Sequence, residues 1–308
     1  MAVQSVAAAP QDEPSDWVIE PAAGTSGWVR PLVARLRDEL ASARGHWSLA
    51  IADPRTGEAA YWRANEPMLA ASLYKTGVLV EVYARLTDGR LQPDASVVLR
   101  EIDVDPEWGG SSYAAGTELA LAPALWTMIA LSDNGTAHAL LHQVGGAATL
   151  NARFGALGMP GTRFVDDDVY TTARDQAHVY AALARGEVVS REASLAMLRL
   201  LKGQRVNDRL PSDLPAGEDW VFAHKTGNSG TAAADAGLLT TPGGAAAISV
   251  LVEDYDDYAD AERTFGRIGA LVYQGLGGAQ PWPDRAAPSL YEQLVAPSVD
   301  FPMLMRAG

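Results

Sequence analysis

The apolar residues of the chain recur at two spacings, and each spacing predicts one kind of element. An apolar residue at every third or fourth position, as at Val29, Leu32 and Leu36, predicts an amphipathic helix over 28–40. The same spacing predicts a closing helix over 261–276. Between these two we expect helices at 72–86, 123–131, 136–144, 149–157, 176–184 and 191–204.

Shorter apolar runs that are bounded by turn residues predict strands near both ends of the chain. The runs 47–52 and 58–62 are joined by a turn that contains proline and glycine. Three later runs, 220–227, 236–240 and 246–252, predict an antiparallel meander. Strands from both ends can join one antiparallel sheet that carries the first and last helices, while the middle helices form a second lobe. The predicted fold class is therefore α+β, with two lobes and a cleft between them where a ligand would bind.

The same pattern divides the chain into a folded region and two loose ends. Residues 1–27 are rich in Ala, Pro, Gly and acidic residues without periodicity, and we interpret them as a loose lead-in. Residues 277–308 are interpreted as a tail with one helical patch at 289–295. The folded domain is predicted at 28–276, with an α/β lobe at 28–66 and 215–276 and a helical lobe at 67–214.

Composition excludes several classes of function. The net charge of −14 argues against nucleic-acid binding, because phosphate contacts require clustered lysine and arginine. The absence of cysteine excludes disulfides, thiol nucleophiles and thiolate metal sites. No apolar run is long enough to span a bilayer, and the first residues lack the basic and apolar regions of a signal peptide. We therefore expect a chain that is either cytoplasmic or exported with its signal peptide already removed.

One pair of polar residues stands at the start of the most apolar helix. Ser72 and Lys75 are three positions apart, so they share one face of the helix 72–86, which is apolar nearly all round. Burial of this helix would lower the pKa of Lys75 until its amine can accept a proton from a neighbouring serine. The structural alternative is a helix cap beside a snorkelling lysine.

Two further motifs carry related chemistry. A Ser-Asp-Asn sequence at 132–134 lies at a predicted corner between helices, and Lys-Thr-Gly at 225–227 ends a predicted strand. In this order and spacing the three motifs resemble the signature of class A β-lactamases and penicillin-binding proteins, over about 28–276. The resemblance implies a β-lactamase-like fold and a serine hydrolase that opens β-lactam rings through an acyl-serine intermediate. It implies no cofactor and no metal.

The resemblance also assigns a role to each motif residue. Ser72 is the expected nucleophile, and Lys75 is its base or proton relay. Ser132 would pass the proton on to the leaving nitrogen, assisted by the positive charge of Lys225. The expected substrate-binding groups are Asn134 for a side-chain amide, Lys225 and Thr226 for a carboxylate, Gly227 beside them, and the backbone N–H groups of Ser72 and Asn228 as an oxyanion hole.

Two predicted loops border these motifs. The loop 103–116 contains Trp108, a candidate aromatic rim over the cleft, although aromatic residues in loops often serve packing. An acidic loop at 163–170 is shorter than its counterpart in class A β-lactamases, where a glutamate activates the deacylating water. Counting without gaps places Asp168 at the position of that glutamate, and a solvated acidic loop is the alternative. The sequence therefore predicts acylation followed by slow deacylation.

The substrate stays open at this point. A β-lactam fits the complete motifs, whereas a D-alanyl peptide or a small ester fits the shortened loop, and a non-catalytic binding protein is the third alternative. We expect a small-molecule partner and leave the oligomeric state open. His138 and His142 are four positions apart, which suits zinc, but no metalloprotease pattern surrounds them, so we predict a packing or surface role. The resemblance implies work outside the cytoplasm.

Overall fold

The computed structural model describes residues 17–22, 27–216, 219–230, 232–277 and 288–296. Its helices are α1 Val29–Ser42, α2 Tyr74–Thr87, α3 Leu121–Ala130, α4 Asn134–Gln143, α5 Gly146–Ala156, α6 Ala173–Arg185, α7 Arg191–Leu201, α8 Tyr258–Leu276 and α9 Leu290–Val295. Its strands are β1 Trp17–Glu20, β2 His46–Ala52, β3 Ala59–Trp62, β4 Met68–Leu69, β5 Ser96–Val98, β6 Glu118–Ala120, β7 Arg163–Val165, β8 Asp168–Thr171, β9 Val221–Ser229, β10 Ala232–Thr241 and β11 Gly244–Glu253. Short 3-10 helices cover Ala71–Leu73, Glu101–Asp103 and Pro106–Trp108.

The main sheet joins the two ends of the chain. Its six strands run antiparallel in the order β1-β3-β2-β11-β10-β9. The central pairing sets Ile51 beside Ile248, so an early strand lies next to a late one. This arrangement confirms the predicted α+β fold with an antiparallel sheet.

The two faces of the sheet pack against different helices. On β11, Ile248 and Val250 belong to the core shared with α1 and α8. Ala247 and Leu251 on the same strand belong to the core shared with the helical lobe, as the two-residue period of a strand requires. Helix α6 lies across β2, β10 and β11 on this second face. The sheet residues on this face include Ala50, Ala236 and Ala247, whose small side chains leave room for the helix.

Helix α1 starts on a charge that comes from a distant part of the sequence. The buried carboxylate of Glu58 accepts hydrogen bonds from the backbone N–H groups of Val29 at 2.9 Å and Arg30 at 3.0 Å. These N–H groups have no partner within the helix, and a negative charge there also complements the helix dipole. This contact fixes the first helix onto the hairpin of β2 and β3.

Three predicted irregular segments are more ordered than the sequence indicated. The lead-in contains β1, whose Trp17 stacks on Trp62 with ring centroids 6.1 Å apart. The predicted loop at 163–170 is a hairpin of β7 and β8, and β8 also pairs with β4. In the predicted exposed loop at 103–116, the Asp103 side chain is fully buried.

The tail contributes one further element. Helix α9 packs with Leu294 fully buried against α7 and the β9 edge of the sheet. Lys202 Nζ donates to the Leu294 carbonyl at 2.5 Å, and Arg199 Nη2 donates to the Gln293 carbonyl at 3.2 Å. Cations at a helix C-terminus stabilise it, so both side chains hold α9 in place. Within the described ranges, no helix has the length and apolar character needed to cross a membrane.

Candidate active site

Ser72 lies in a strained turn at the entrance to α2. It occupies the 3-10 helix Ala71–Leu73, whereas the sequence indicated an α-helix from this residue onward. Ala71, just before it, has a φ of +42°, a left-handed conformation that residues with a Cβ rarely adopt. Such strain persists where surrounding packing fixes the backbone, and it often marks functional sites. The turn presents the half-buried Ser72 to a cleft.

Lys75 is completely buried on α2, as predicted. Its Nζ donates to the Ser132 carbonyl at 2.5 Å, to Asn134 Oδ1 at 2.6 Å and to Ser132 Oγ at 3.3 Å. Burial lowers the pKa of Lys75 to about 7, against a smaller opposing effect of the Asp133 carboxylate. Much of the amine is therefore neutral at physiological pH. In the described part of the chain, its hydrogen bonds lead to the Ser-Asp-Asn corner rather than to Ser72.

Ser132 lies between two lysine amines. Lys225 Nζ, also fully buried, donates to Ser132 Oγ at 2.9 Å and to the Thr226 carbonyl at 2.8 Å. Burial, and then the charge of Lys75, holds the pKa of Lys225 well below its usual range. Ser132 itself has a φ of +59°, so its backbone is strained like that of Ala71. The structure thus brings the three motifs together around one hydroxyl.

The end of β9 lies directly against the Ser72 turn. A Cβ atom at Gly227 would lie 2.8 Å from the Ala70 carbonyl oxygen and 3.3 Å from the Ser72 nitrogen, so only glycine allows this approach. Thr226 before it is buried, and Asn228 after it is exposed and lines the cleft. The glycine therefore sets the separation between the two backbone segments that would form an oxyanion hole according to the family resemblance.

Hydrogen bonds to Asp133 hold the loop 103–116 against the Ser-Asp-Asn corner. The Asp133 carboxylate caps α4 through the Thr136 N–H at 2.7 Å and accepts from the Ser112 N–H at 2.5 Å. Burial opposes its ionisation, but these N–H donors outweigh burial and keep the pKa of Asp133 below its usual value. The side chain of Trp108, the predicted aromatic rim, lies outside the described residues.

Ser72 and Asn134 line a cleft of about 630 Å³. The β7–β8 hairpin forms another wall with Phe164, Asp166, Asp167, Asp168 and Val169. Asp168, placed by counting at the position of a deacylating glutamate, reaches the cleft from an exposed site on β8. His138 and His142 line the same cleft, which the sequence did not predict. Their spacing on one face of α4 was visible in the sequence, but the direction of that face was not.

A sequence comparison identifies the group of proteins to which this site belongs. A sequence model of the β-lactamase enzyme family matches residues 31–276, which is most of the chain. The chain belongs to the β-lactamase enzyme family. It is a β-lactamase-like serine hydrolase, as the three motifs predicted.

Individual members of this family are distant in sequence. A β-lactamase of Rhodobacter capsulatus is 25% identical over 237 residues, which is 73% of this chain and 80% of that protein. The crystal structure of a β-lactamase from Sphaerobacter thermophilus is 27% identical, with a TM-score of 0.73 over 83% of this chain and 100% of that one. A β-lactamase structure from Chitinophaga pinensis is 25% identical, with the same TM-score over 79% and 98% of the two chains.

In this member of the β-lactamase enzyme family, the buried side chain of His224 supports β9, the strand that carries Lys225. His224 points to the opposite face of β9, where its Nδ1 lies 2.8 Å from Asp235 Oδ1 and its Nε2 lies 3.0 Å from Asn207 Oδ1. Its ring also stacks on Phe222 with centroids 4.4 Å apart. Because neighbouring strand residues face opposite ways, this network fixes the position of β9 without entering the cleft.

Proposed function

We propose that this protein is a serine hydrolase of the class A type, which opens β-lactam rings through an acyl intermediate on Ser72 and deacylates slowly. The observation that carries the proposal is the shared hydroxyl of Ser132, which lies 3.3 Å from Lys75 Nζ and 2.9 Å from Lys225 Nζ. A structural core has no use for two buried lysines at one serine, because each desolvated amine destabilises the fold. The match to the β-lactamase enzyme family, and the similarity to the β-lactamase of Rhodobacter capsulatus, support the same chemistry.

Acylation would follow the arrangement of these groups. Lys75, neutral in part at pH 7, takes the proton of Ser72 as its Oγ attacks the lactam carbonyl carbon. The backbone N–H groups of Ser72 and Asn228 stabilise the negative oxygen of the tetrahedral intermediate. The carbon–nitrogen bond then breaks, and the Ser132 hydroxyl protonates the leaving nitrogen. The Lys75 ammonium returns the proton to Ser132 along their 3.3 Å contact.

Substrate binding would use further residues of the second and third motifs. A carboxylate on the substrate would lie against Lys225 and the Thr226 hydroxyl, and an amide would lie against Asn134. The buried Lys225 has a depressed pKa in the free protein, so an incoming carboxylate would favour its protonated form and gain a charged hydrogen bond. Substrates with an anionic group at this end are therefore expected to bind best.

The residues of the β7–β8 hairpin are the reason why we propose slow deacylation. The hairpin carries aspartates at 166–168 and no glutamate, and Asp168 is exposed on the strand. Its side chain is one methylene shorter than that of a glutamate and faces solvent, so it would position a water against the ester poorly. The same feature favours an alternative function, a penicillin-binding D-alanyl peptidase or an esterase, in which a stable acyl-enzyme is expected with β-lactams.

One experiment separates these functions. The protein is incubated with nitrocefin and with benzylpenicillin, absorbance is followed, and the intact mass is taken at intervals. We expect a mass increase of one acyl group followed by slow turnover, and loss of both in Ser72→Ala. Ser42→Ala, at the exposed end of α1, serves as the control and should behave like the unmodified protein. A stable adduct without turnover would support the alternative, and no adduct with either compound would refute the proposal.

A further inference from the structure

A second cavity lies outside the Ser72 cleft and shares no lining residue with it. Its volume is about 890 Å³, against about 630 Å³ for the cleft, and sites for small molecules are of this size. The walls are formed by α3, by α7 with the segment 202–211 after it, and by the start of β9. No residue of the three motifs lines this cavity. A molecule bound there would therefore be a second ligand, separate from the acyl group on Ser72.

One side of the cavity is aromatic. Trp126 on α3 is 41% exposed, Trp220 is half-buried and Phe222 is buried, so aromatic rings extend from the opening inward. The Trp220 Nε1–H donates to the Pro215 carbonyl at 2.9 Å, which fixes the orientation of that ring. Aromatic side chains attract flat aromatic groups through stacked and edge-to-face contacts. This wall therefore favours a ligand with a flat aromatic body.

The cavity is also lined by three basic residues and by no acidic one. The basic residues are Arg199, Lys202 and Arg205. The whole chain has 38 acidic residues against 24 lysines and arginines, so a wall with basic charges alone does not follow from composition. At physiological ionic strength, charges more than about 8 Å away are largely screened. The nearby cations, rather than the net charge of −14, therefore determine the charge that a ligand meets here.

Two of these basic residues have N–H groups that the protein does not use. Arg199 Nε is buried and makes no hydrogen bond within the described part of the chain, while its Nη2 donates to the Gln293 carbonyl. Lys202 Nζ donates to the Leu294 carbonyl, which uses one of its three N–H groups. Burial, and then the charge of Arg199, lowers the pKa of Lys202. A bound anion would accept from the unused N–H groups and offset the repulsion between the two cations.

The neutral polar residues of the cavity already bond within the protein. Gln204 Oε1 accepts from the next two backbone N–H groups at 2.9 and 3.0 Å, and its Nε2 donates to the Ile129 carbonyl at 3.1 Å. Asn207 Oδ1 lies 3.0 Å from His224 Nε2. The groups that remain for the polar end of a ligand are therefore the cations, which select a negative charge.

We propose that this cavity binds an aromatic carboxylate, a small molecule with a flat aromatic body and one anionic group. The aromatic body would lie against Trp126 and Trp220. The carboxylate would accept charge-assisted hydrogen bonds from the three basic residues, and a guanidinium can bind it through two parallel bonds. The inference goes beyond the proposed acyl-serine function and does not depend on it.

Isothermal titration calorimetry with 2-naphthoate tests the proposal, and 2-naphthalenemethanol is a neutral compound of similar shape. We expect one site per chain with a dissociation constant of about 1 mM or lower, the affinity typical of a compound this small. The alcohol should bind at least roughly tenfold more weakly, because it lacks the charge. Raising the salt concentration from about 0.05 to about 0.5 M should weaken binding of 2-naphthoate and leave binding of the alcohol unchanged.

Two substitutions test whether the cavity is the binding site. Arg205→Gln removes one cation and Trp126→Ala removes part of the aromatic wall, and both positions are exposed, so we expect the fold to be retained by circular dichroism. Each substitution should raise the dissociation constant of 2-naphthoate roughly tenfold. Arg37→Gln and Val98→Ala, at exposed positions outside the cavity, are the matched controls and should leave the affinity unchanged.

The Ser72 cleft is the competing site, because Lys225 and Thr226 are proposed to bind a carboxylate there. Thr226→Val should bind 2-naphthoate as the unmodified protein does. Weaker binding in Thr226→Val, with normal affinity in Arg205→Gln and Trp126→Ala, would place the probe in the cleft and overturn the proposal. Equal affinities for 2-naphthoate and the alcohol would also overturn it, as would the absence of any binding at about 10 mM, well above the expected dissociation constant.

Discussion

Lys75 and Lys225 both hydrogen-bond to the Ser132 hydroxyl, and burial depresses both of their pKa values. Two neighbouring ammonium ions in a desolvated site repel each other, so the pair favours states in which one amine is neutral. The groups also differ in surroundings, since Lys225 is close to Asp235 and Arg209 whereas Lys75 is close to Asp133. This difference agrees with the proposed roles, in which Lys75 transfers the proton and Lys225 binds an anion.

A charge-preserving substitution tests whether Lys75 must lose its proton. Lys75→Arg keeps a cation but introduces a guanidinium that does not deprotonate at working pH, so acylation of Ser72 should fall at least a hundredfold. In the unmodified protein, acylation should rise with pH to about 7 and then level off. Lys202→Arg, which changes a lysine that holds α9, is the control. A rate in Lys75→Arg within threefold of normal would show that the amine is not the base.

At the scale of elements, the β9 strand and the Ser72 turn meet without a side chain between them. Gly227→Ala would place a Cβ atom 2.8 Å from the Ala70 carbonyl, so the backbones must separate. We expect a loss of about 1–3 kcal/mol in the free energy of unfolding and a larger proportional loss of acylation, because the proposed oxyanion hole would widen. Urea unfolding and adduct formation with nitrocefin provide the two readouts.

A second glycine supplies the matched control for that substitution. Gly155 lies exposed in α5, and a Cβ atom there would meet nothing within 4 Å. Gly155→Ala should therefore stabilise the protein by about 0.4–1 kcal/mol, because alanine favours a helix and restricts the unfolded chain. Equal effects of the two substitutions would contradict the close approach at Gly227.

The helices and strands also show which elements can be predicted from local sequence patterns and which cannot. Periodicity and turn residues predicted the meander, the hairpin of β2 and β3 and most helices, because each depends on local spacing. The β7–β8 hairpin was missed, since its acidic turn resembles a solvated loop and its strands are stabilised partly by β4, distant in sequence. β1 was missed because four residues that pair at a sheet edge show little alternation.

Within the site, the motif residues could be predicted from the sequence because their side chains carry related chemistry. The residues that surround and support them could not be predicted. Ser72, Lys75, Ser132 and Lys225 were predicted to meet. The structure joins Lys75, Ser132 and Lys225 by hydrogen bonds and places the Ser72 backbone beside Gly227. The direction in which α4 presents His138 depends on how the helical lobe packs, and the cap that Glu58 provides for α1 depends on the sheet. Neither has a local signature.

At the scale of the whole molecule, the buried lysines make stability depend on pH. Lys75 releases its proton near pH 7 when folded but only near 10.5 when unfolded, so above pH 7 the unfolded state binds more protons. Stability should therefore rise as the pH is raised from 7 to 9, with Lys75 contributing at most about 1.4 kcal/mol per pH unit. Urea unfolding at several pH values measures this slope.

The contribution of Lys75 is isolated by comparison with Lys75→Met. The variant lacks the titrating amine, so its stability should rise less steeply with pH than that of the unmodified protein, and the difference between the two curves should grow from pH 7 to 9. Parallel curves would mean that the amine has the same pKa in both states.

The pairing of β2 with β11 has a consequence for how the protein is made. Residue 52 pairs with residue 247, so a ribosome must synthesise most of the chain before the central sheet can close. Until then β2 has an open edge that other chains can join, and contacts so distant in sequence form slowly. The helical lobe, whose segments are closer together, can collapse while synthesis continues. Chaperones that shield exposed strand edges should therefore matter most for this protein during the last stage of translation.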